Sequence, residues 1–220
     1  MKPKSPFTQP FEQLPHELPI YPLENALLPG GALPLTLDQP HHLRMFLDVL
    51  KTDQLIGMVQ PRGHDPDGEI YRVGCAGRIR QYRERGDGRL NVMLNGVCRY
   101  RVVEELPRSN GYRRVIADWS GFEQDYTTED IDLQDINLLK VRLRGYFKRH
   151  QMQIDWQALD KLHIEEVINN LVLVLNFSVD SKQRLLEAPS VLQRLYLFAD
   201  LLDEKSAPFV ATQPETQRVN

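Results

Sequence analysis

Eleven arginines and no lysine fall between Arg72 and Arg114, opposed only by Glu84, Asp87, Glu104 and Glu105, for a local charge of +7. Within that run Arg78 and Arg80 flank Ile79, and Arg99 and Arg101 flank Tyr100. On a β-strand, residues two apart share a face, so each pair projects from one side of a sheet. Guanidinium groups presented in this way suit phosphates and carboxylates. Arg78, Arg80, Arg99 and Arg101 are therefore the candidate ligand-binding residues, with RNA or an acidic protein segment as the ligand. The plainer reading is a solvated outer sheet face whose arginines pair with carboxylates and keep strand edges soluble. The formal charge of −3 over the 220 residues favours that reading.

Other chemistry is sparse. The sequence contains no G-x-x-x-x-G-K-[ST] loop to cradle nucleotide phosphates, no G-x-S-x-G nucleophile elbow and no H-E-x-x-H metal helix. Of the six histidines, the adjacent His41 and His42 do not share a helix face and make a poor chelating pair. His64 stands beside Asp65, Asp67 and Glu69, an arrangement that attracts a cation but equally describes a solvated turn, and its spacing matches no known metal loop. Cys75 and Cys98 are too few for a disulfide framework or a four-cysteine zinc site and read as small core residues. The expectation is no catalytic residue, no cofactor and no metal.

The elements that must position these residues change character near residue 125. Before it, short β-branched runs alternate with turns. Strands are expected at Leu18–Leu23, at Leu33–Leu37, and over Leu55–Gln60, Tyr71–Arg83, Arg89–Leu94, Arg99–Glu104 and Arg113–Asp118. Pro19 and Pro22 suit an edge strand or a strand start. Pro40 opens a helix carrying Leu43, Met45, Phe46, Leu47 and Leu50. Such strand spacing suggests a compact, barrel-like antiparallel sheet. After residue 125 the period is helical. Ile136, Leu139, Leu143 and Phe147 share a face, Ile164 to Leu175 form a buried helix, Ser178 or Asp180 caps a short helix, and Pro189 opens the last one. The fold class is α+β, with residues 18–125 β-rich, 126–205 helical, and 1–17 and 206–220 as flexible tails.

With 41% hydrophobic and 26% charged residues, the composition is that of an ordinary globular protein and excludes disordered, collagen-like and disulfide-scaffold classes. The N-terminus has no apolar secretory core, and the longest apolar stretch, Val167–Phe177, falls short of the roughly 20 residues that span a bilayer. A cytoplasmic protein with reduced thiols and no membrane partner is expected.

The order of these pieces resembles the Lon N-terminal, or Lon substrate-binding, domain. The residues that carry the resemblance begin with Leu18-Pro19-Ile20-Tyr21-Pro22-Leu23, Asn25, Leu27-Leu28-Pro29-Gly30 and Leu33-Pro34-Leu35. Val73 to Ile79 and Asp87-Gly88-Arg89 follow. Then comes Gly96 to Val102, similar to the family's "G-x-x-R-[FY]-x-[IV]" strand, and Lys182-Gln183 with Leu185-Leu186-Glu187, similar to its "KQ-x-LLE" helix. The resemblance implies a PUA-like β-barrel subdomain followed by a C-terminal α-helical bundle. In full-length Lon proteases this domain precedes an AAA+ ATPase and a Ser-Lys peptidase, so the resemblance implies a bacterial stand-alone relative without either. It further implies a non-enzymatic module that recognises unfolded protein or peptide segments, with an adaptor role beside a separate protease as one form of it. RNA binding through the arginine-rich face is the alternative. Asp38 and His42 stand where the family carries aromatics, which thins any aromatic grip near the first helix.

Overall fold

The computed structural model describes residues 9–63, 65 and 67–204. Residues 1–8 of the expected N-terminal tail, His64 of the acidic turn and the expected C-terminal tail at 206–220 lie outside the described residues. The chain runs β1 (Glu17–Pro22), β2 (Ala32–Leu37), α1 (Pro40–Leu50), β3 (Leu55–Val59), β4 (Val73–Glu84), β5 (Leu90–Ser109) and β6 (Tyr112–Asp118). It continues through α2 (Leu133–Arg149), α3 (Trp156–Leu159), α4 (Ile164–Val174), α5 (Val179–Glu187) and α6 (Val191–Asp203). The architecture is mixed α+β, a six-stranded sheet followed by helices.

The strand order is β2-β5-β4-β3-β1-β6, and β6 also pairs with β5, so the hydrogen-bonded circuit returns to the strand it left. Two expectations need correcting. The sheet is not wholly antiparallel, because β1 runs parallel to β3, with β2 and α1 in the crossover between them. Nor is β1 an edge. It pairs with β6 through residues 17–20 and with β3 through residues 20–22. Pro19 faces only β6 and Pro22 only β3, so each proline's missing N–H is accommodated on a side without a partner.

The two strands expected at Arg89–Leu94 and Arg99–Glu104 are one strand of 20 residues. Its register against β4 shifts at Gly96–Cys98, a bulge that lets one strand serve three neighbours: β4 along 90–101, β2 along 90–95 and β6 along 101–109. At the bulge the Leu28–Gly31 turn crosses β5. Gly30 N donates to Gly96 O at 2.9 Å and Gly96 N to Gly31 O at 2.8 Å. A Cβ on Gly96 would stand 2.0 Å from the Leu28 carbonyl oxygen, so the crossing requires glycine.

Residues 9–16, expected within a tail, lie against this sheet. Trp119 Nε1 donates to Pro15 O at 2.9 Å, Phe11 meets the Tyr126 ring edge-on, and Leu14 is buried. The short aromatic and leucine anchors were hidden in a polar, proline-rich composition. The helix start at Pro40 is as expected, and Ser178 Oγ caps α5 by accepting from Ser181 N. The last helix starts at Val191 and is capped by Ser190 Oγ, two residues beyond Pro189.

The helices dock on the sheet through buried polar anchors set among apolar contacts. Asn169 Nδ2 of α4 donates to Pro29 O at 2.7 Å, and Gln183 Nε2 of α5 to Val73 O at 3.0 Å. Gln60 Nε2 reaches Glu24 O and Val179 O, and Lys182 Nζ donates to Asn25 Oδ1 at 2.9 Å. Burial of the Lys182 ammonium lowers its pKa. Asn169 and Lys182 therefore act as connectors, which answers why an asparagine interrupts the apolar run of α4.

Candidate functional site

The four candidate arginines do not form one site. Arg99 is 1% exposed. Its Nε and Nη2 donate to the Asp125 carboxylate at 2.8–3.1 Å, and its backbone N donates to the same carboxylate at 2.8 Å. Its Nη1 donates to Leu186 O at 3.1 Å and Ala188 O at 2.6 Å, at the C-terminal end of α5, and Phe122 underlies the guanidinium. Arg99 and Arg101 do share a strand face, but the α5–α6 turn covers that face at Arg99 and leaves Arg101 exposed. Arg78 is half-buried with Gln54 as its partner at 3.4 Å, and Arg80 is exposed at a shift in the β4–β5 register.

Much of the remaining arginine run is paired with carboxylates: Arg113 with Glu105 at 2.7 Å, Arg114 with Glu17 at 2.9 Å and Arg108 with Asp67 at 2.7 Å. Arg85 and Arg89 both approach Asp87. The Arg113 guanidinium, bonded to Glu105, holds that carboxyl below its usual range. Much of the arginine-rich segment is thus occupied by ion pairs, two of them on buried arginines, Arg99 and Arg113.

An open cleft of about 300 Å³ lies instead in the helical half, between α2, α3 and α4. Local signals mark the starts of the three helices that line it. Asp130 and Asp132 precede α2, where carboxylates favour a helix N-terminus. Asp155 caps α3 by accepting from Gln157 N and Ala158 N at 3.0 and 3.1 Å. At the start of α4, Glu166 reaches back to accept from His163 N at 3.2 Å. The cleft lies between these three helices.

Its floor is apolar: Ile136 and Leu143 from α2, Trp156 and Leu159 from α3, Ile164 and Val167 from α4. Leu133 and Leu162 stand on the rim at 76% and 41% exposure. One ion pair lies on the lining, Lys140 Nζ to Asp160 Oδ1 at 2.6 Å, which holds the Asp160 carboxyl below its usual range. The arrangement offers an apolar slot with one donor–acceptor pair at its side. Asp130 and His163 also border the slot.

The sequence held no sign of the cleft, because its floor residues read as ordinary core. That Leu133 and Leu162 border it appears only once the helices are placed. Asp125, the partner of Arg99, lies 26 residues away and was equally invisible. Among the described residues no group of three or more His, Cys, Asp or Glu is arranged to hold a metal ion, and no helix is long and apolar enough to cross a membrane. Cys75 and Cys98 are buried, and burial pushes both thiols up.

Comparison with known proteins supplies a frame for this geometry. The family model of the ATP-dependent protease La (LON) substrate-binding domain matches residues 17–204. Lon protease 2 of Myxococcus xanthus is 25% identical over 203 residues, covering 88% of this chain and 24% of that protein. Lon protease of Anaeromyxobacter dehalogenans is 23% identical with the same coverage. The chain spans about a quarter of the length of these curated relatives. Among solved structures, the Lon N-terminal domain protein from Xanthomonas campestris matches with a TM-score of 0.62 at 24% identity, covering 86% of this chain and 98% of that one. The N-terminal domain of Mycobacterium avium complex Lon protease matches with a TM-score of 0.61 at 16% identity, covering 86% and 99%.

Proposed function

The chain belongs to the Lon substrate-binding domain family, and from that premise we propose that it is a non-enzymatic module that takes up apolar segments of unfolded polypeptide in the α2–α3–α4 cleft. The observation that carries this reading is the cleft's open apolar floor with leucines left on its rim. Its volume sits at the small end of ligand pockets, which run from about 300 to 1,000 Å³, so it accommodates a few side chains at a time. Apolar contacts supply the affinity, and the Lys140–Asp160 pair offers a donor and an acceptor to a passing backbone.

We read the closed circuit of strand pairings as the PUA-like barrel, with residues 18–125 and 126–205 as its two subdomains. The setting that fits such a module is the bacterial cytoplasm, where it would act as an adaptor beside a separate protease. An RNA ligand is disfavoured by the burial of Arg99 and the carboxylate partners of Arg108, Arg113 and Arg114.

The test is a titration of a fluorescent, permanently unfolded model protein, followed by anisotropy at low and physiological salt. Saturable binding that survives salt, and that weakens at least about tenfold in Leu133→Glu and Leu162→Glu, is the expected result. Both leucines are exposed, so circular dichroism of the variants should match the parent. Binding indifferent to these two substitutions would remove the cleft from consideration. Binding confined to low salt would return attention to the arginine face.

A further inference from the structure

Helix α2 presents a second surface, on the side away from both the cleft and the core. Gln134, Leu138, Val141, Gly145 and Lys148 are all exposed and follow one another at spacings of four, three, four and three. That is the seam spacing of a helix that packs lengthwise on another helix. Val141, at 63% exposure, is the middle residue of the helix, with Leu138 beside it.

Two independent features point to what covers this stripe. Gly145 is the only glycine inside an α-helix among the described residues, and a Cβ placed on it would meet nothing within 4 Å. A helical glycine costs roughly 0.5–1 kcal/mol relative to alanine, and no neighbour within the fold requires it here. An approaching backbone would. The second feature is charge. The chain entering α2 and its first turn carry Asp130, on the cleft lining, Asp132, and Asp135, which accepts from Tyr196 Oη; the second half carries Arg142, Arg144, which lies over the Trp156 ring, Lys148 and Arg149. Asp203 faces both Arg142 and Arg149, so one carboxylate serves two guanidinium groups.

A helix acidic at one end, basic at the other and apolar in the middle is complementary to itself reversed. We propose that α2 is a homodimer surface, with two copies packed antiparallel about a dyad at Val141. The arrangement is isologous and closed, as C2 interfaces are. It sets the acidic turn of each copy against the basic half of its partner and brings Gly145 against the partner's Leu138. It leaves the α2–α3–α4 cleft of both copies open. The patch is one helix wide, which places the complex in the weak class below about 1,200 Å² of buried surface.

Engineered thiols test this directly, because the native Cys75 and Cys98 are buried. Val141→Cys, which sits on the dyad, should oxidise to a covalent dimer. Gln134→Cys alone should not, but should cross-link to Lys148→Cys when the two variants are mixed. Sedimentation of the unmodified chain at about 100 µM should show dimer, weakened at least tenfold in Val141→Glu with the circular dichroism spectrum kept. The charge pattern gives a further arm. Asp132→Lys/Asp135→Lys and Arg144→Glu/Lys148→Glu should each sediment as monomer, and their mixture as dimer. A monomer throughout the concentration range would overturn the proposal. So would equal self-cross-linking of Gln134→Cys and Val141→Cys, which means parallel or random collision.

Discussion

The sheet–helix seam and the α2–α3–α4 cleft each hold an ion pair, and the two pairs do opposite work. Arg99 and Asp125 are buried and share four further partners between them: a backbone N–H, two carbonyls and an aromatic face converge there. Lys140 and Asp160 lie at an open surface, where solvent screens the attraction and either side chain can leave without stranding the other. A buried pair fixes geometry because breaking it leaves an uncompensated charge. An exposed pair leaves its surroundings adaptable. One end of the helical half is thereby locked to the sheet, and the other stays open to solvent.

The sharpest way to break this comparison is Asp125→Ala. It leaves Arg99 buried without its counter-charge and should cost about 3–5 kcal/mol in urea unfolding. A loss no larger than that of an exposed pair would refute the distinction between the two regions. Next in size is Gly96→Ala, which drives a methyl against the Leu28 carbonyl oxygen and displaces the turn on which Asn169 docks. It should cost at least about 2 kcal/mol, and hydrogen exchange should locate the loosening in the Leu28–Gly31 turn and α4.

A pH titration adds a third term belonging to neither region. His42 packs on Tyr21 and His41, and its Nδ1 is buried without a partner. Burial, aided by the neighbouring His41 and opposed by Asp38 and Asp67, pushes it down from 6.5 to about 4. Between those two pH values the unfolded chain binds a proton that the folded chain refuses, so stability falls as pH falls from about 6.5 towards 4. For a half-buried ring the loss should be about 1 kcal/mol after solvent screening, and His42→Gln should remove it from the pH profile. The smallest effect belongs to the cleft. Lys140→Ala should change stability by less than about 0.5 kcal/mol, yet alter the affinity for unfolded polypeptide if the pair meets the ligand backbone.

Local signals in the sequence were reliable where they act locally. Pro40 opened α1, Ser178 capped α5, and apolar or β-branched runs between turns located β3 and β6. They failed wherever a distant segment decided the outcome. Two runs separated by Gly96 read as two strands because the turn that crosses at the bulge comes from residues 28–31. Arg99 read as a surface cation because the carbonyls that bury it lie 87 and 89 residues further on. The cleft was illegible for the same reason: the spacing of Ile136 or Val167 says that a face is apolar, not whether another helix closes over it.

The pairing of β1 carries a consequence for how the protein is made. Glu17 lies opposite Ile116, and Leu18 opposite Val115. A ribosome adding roughly 5–20 residues per second exposes the first strand on the order of ten seconds before its β6 partner emerges. Throughout that interval Leu18 and Ile20, both buried in the finished fold, are open to other chains. A module read here as a holder of unfolded polypeptide is therefore, during its own synthesis, a nascent chain in want of a holder.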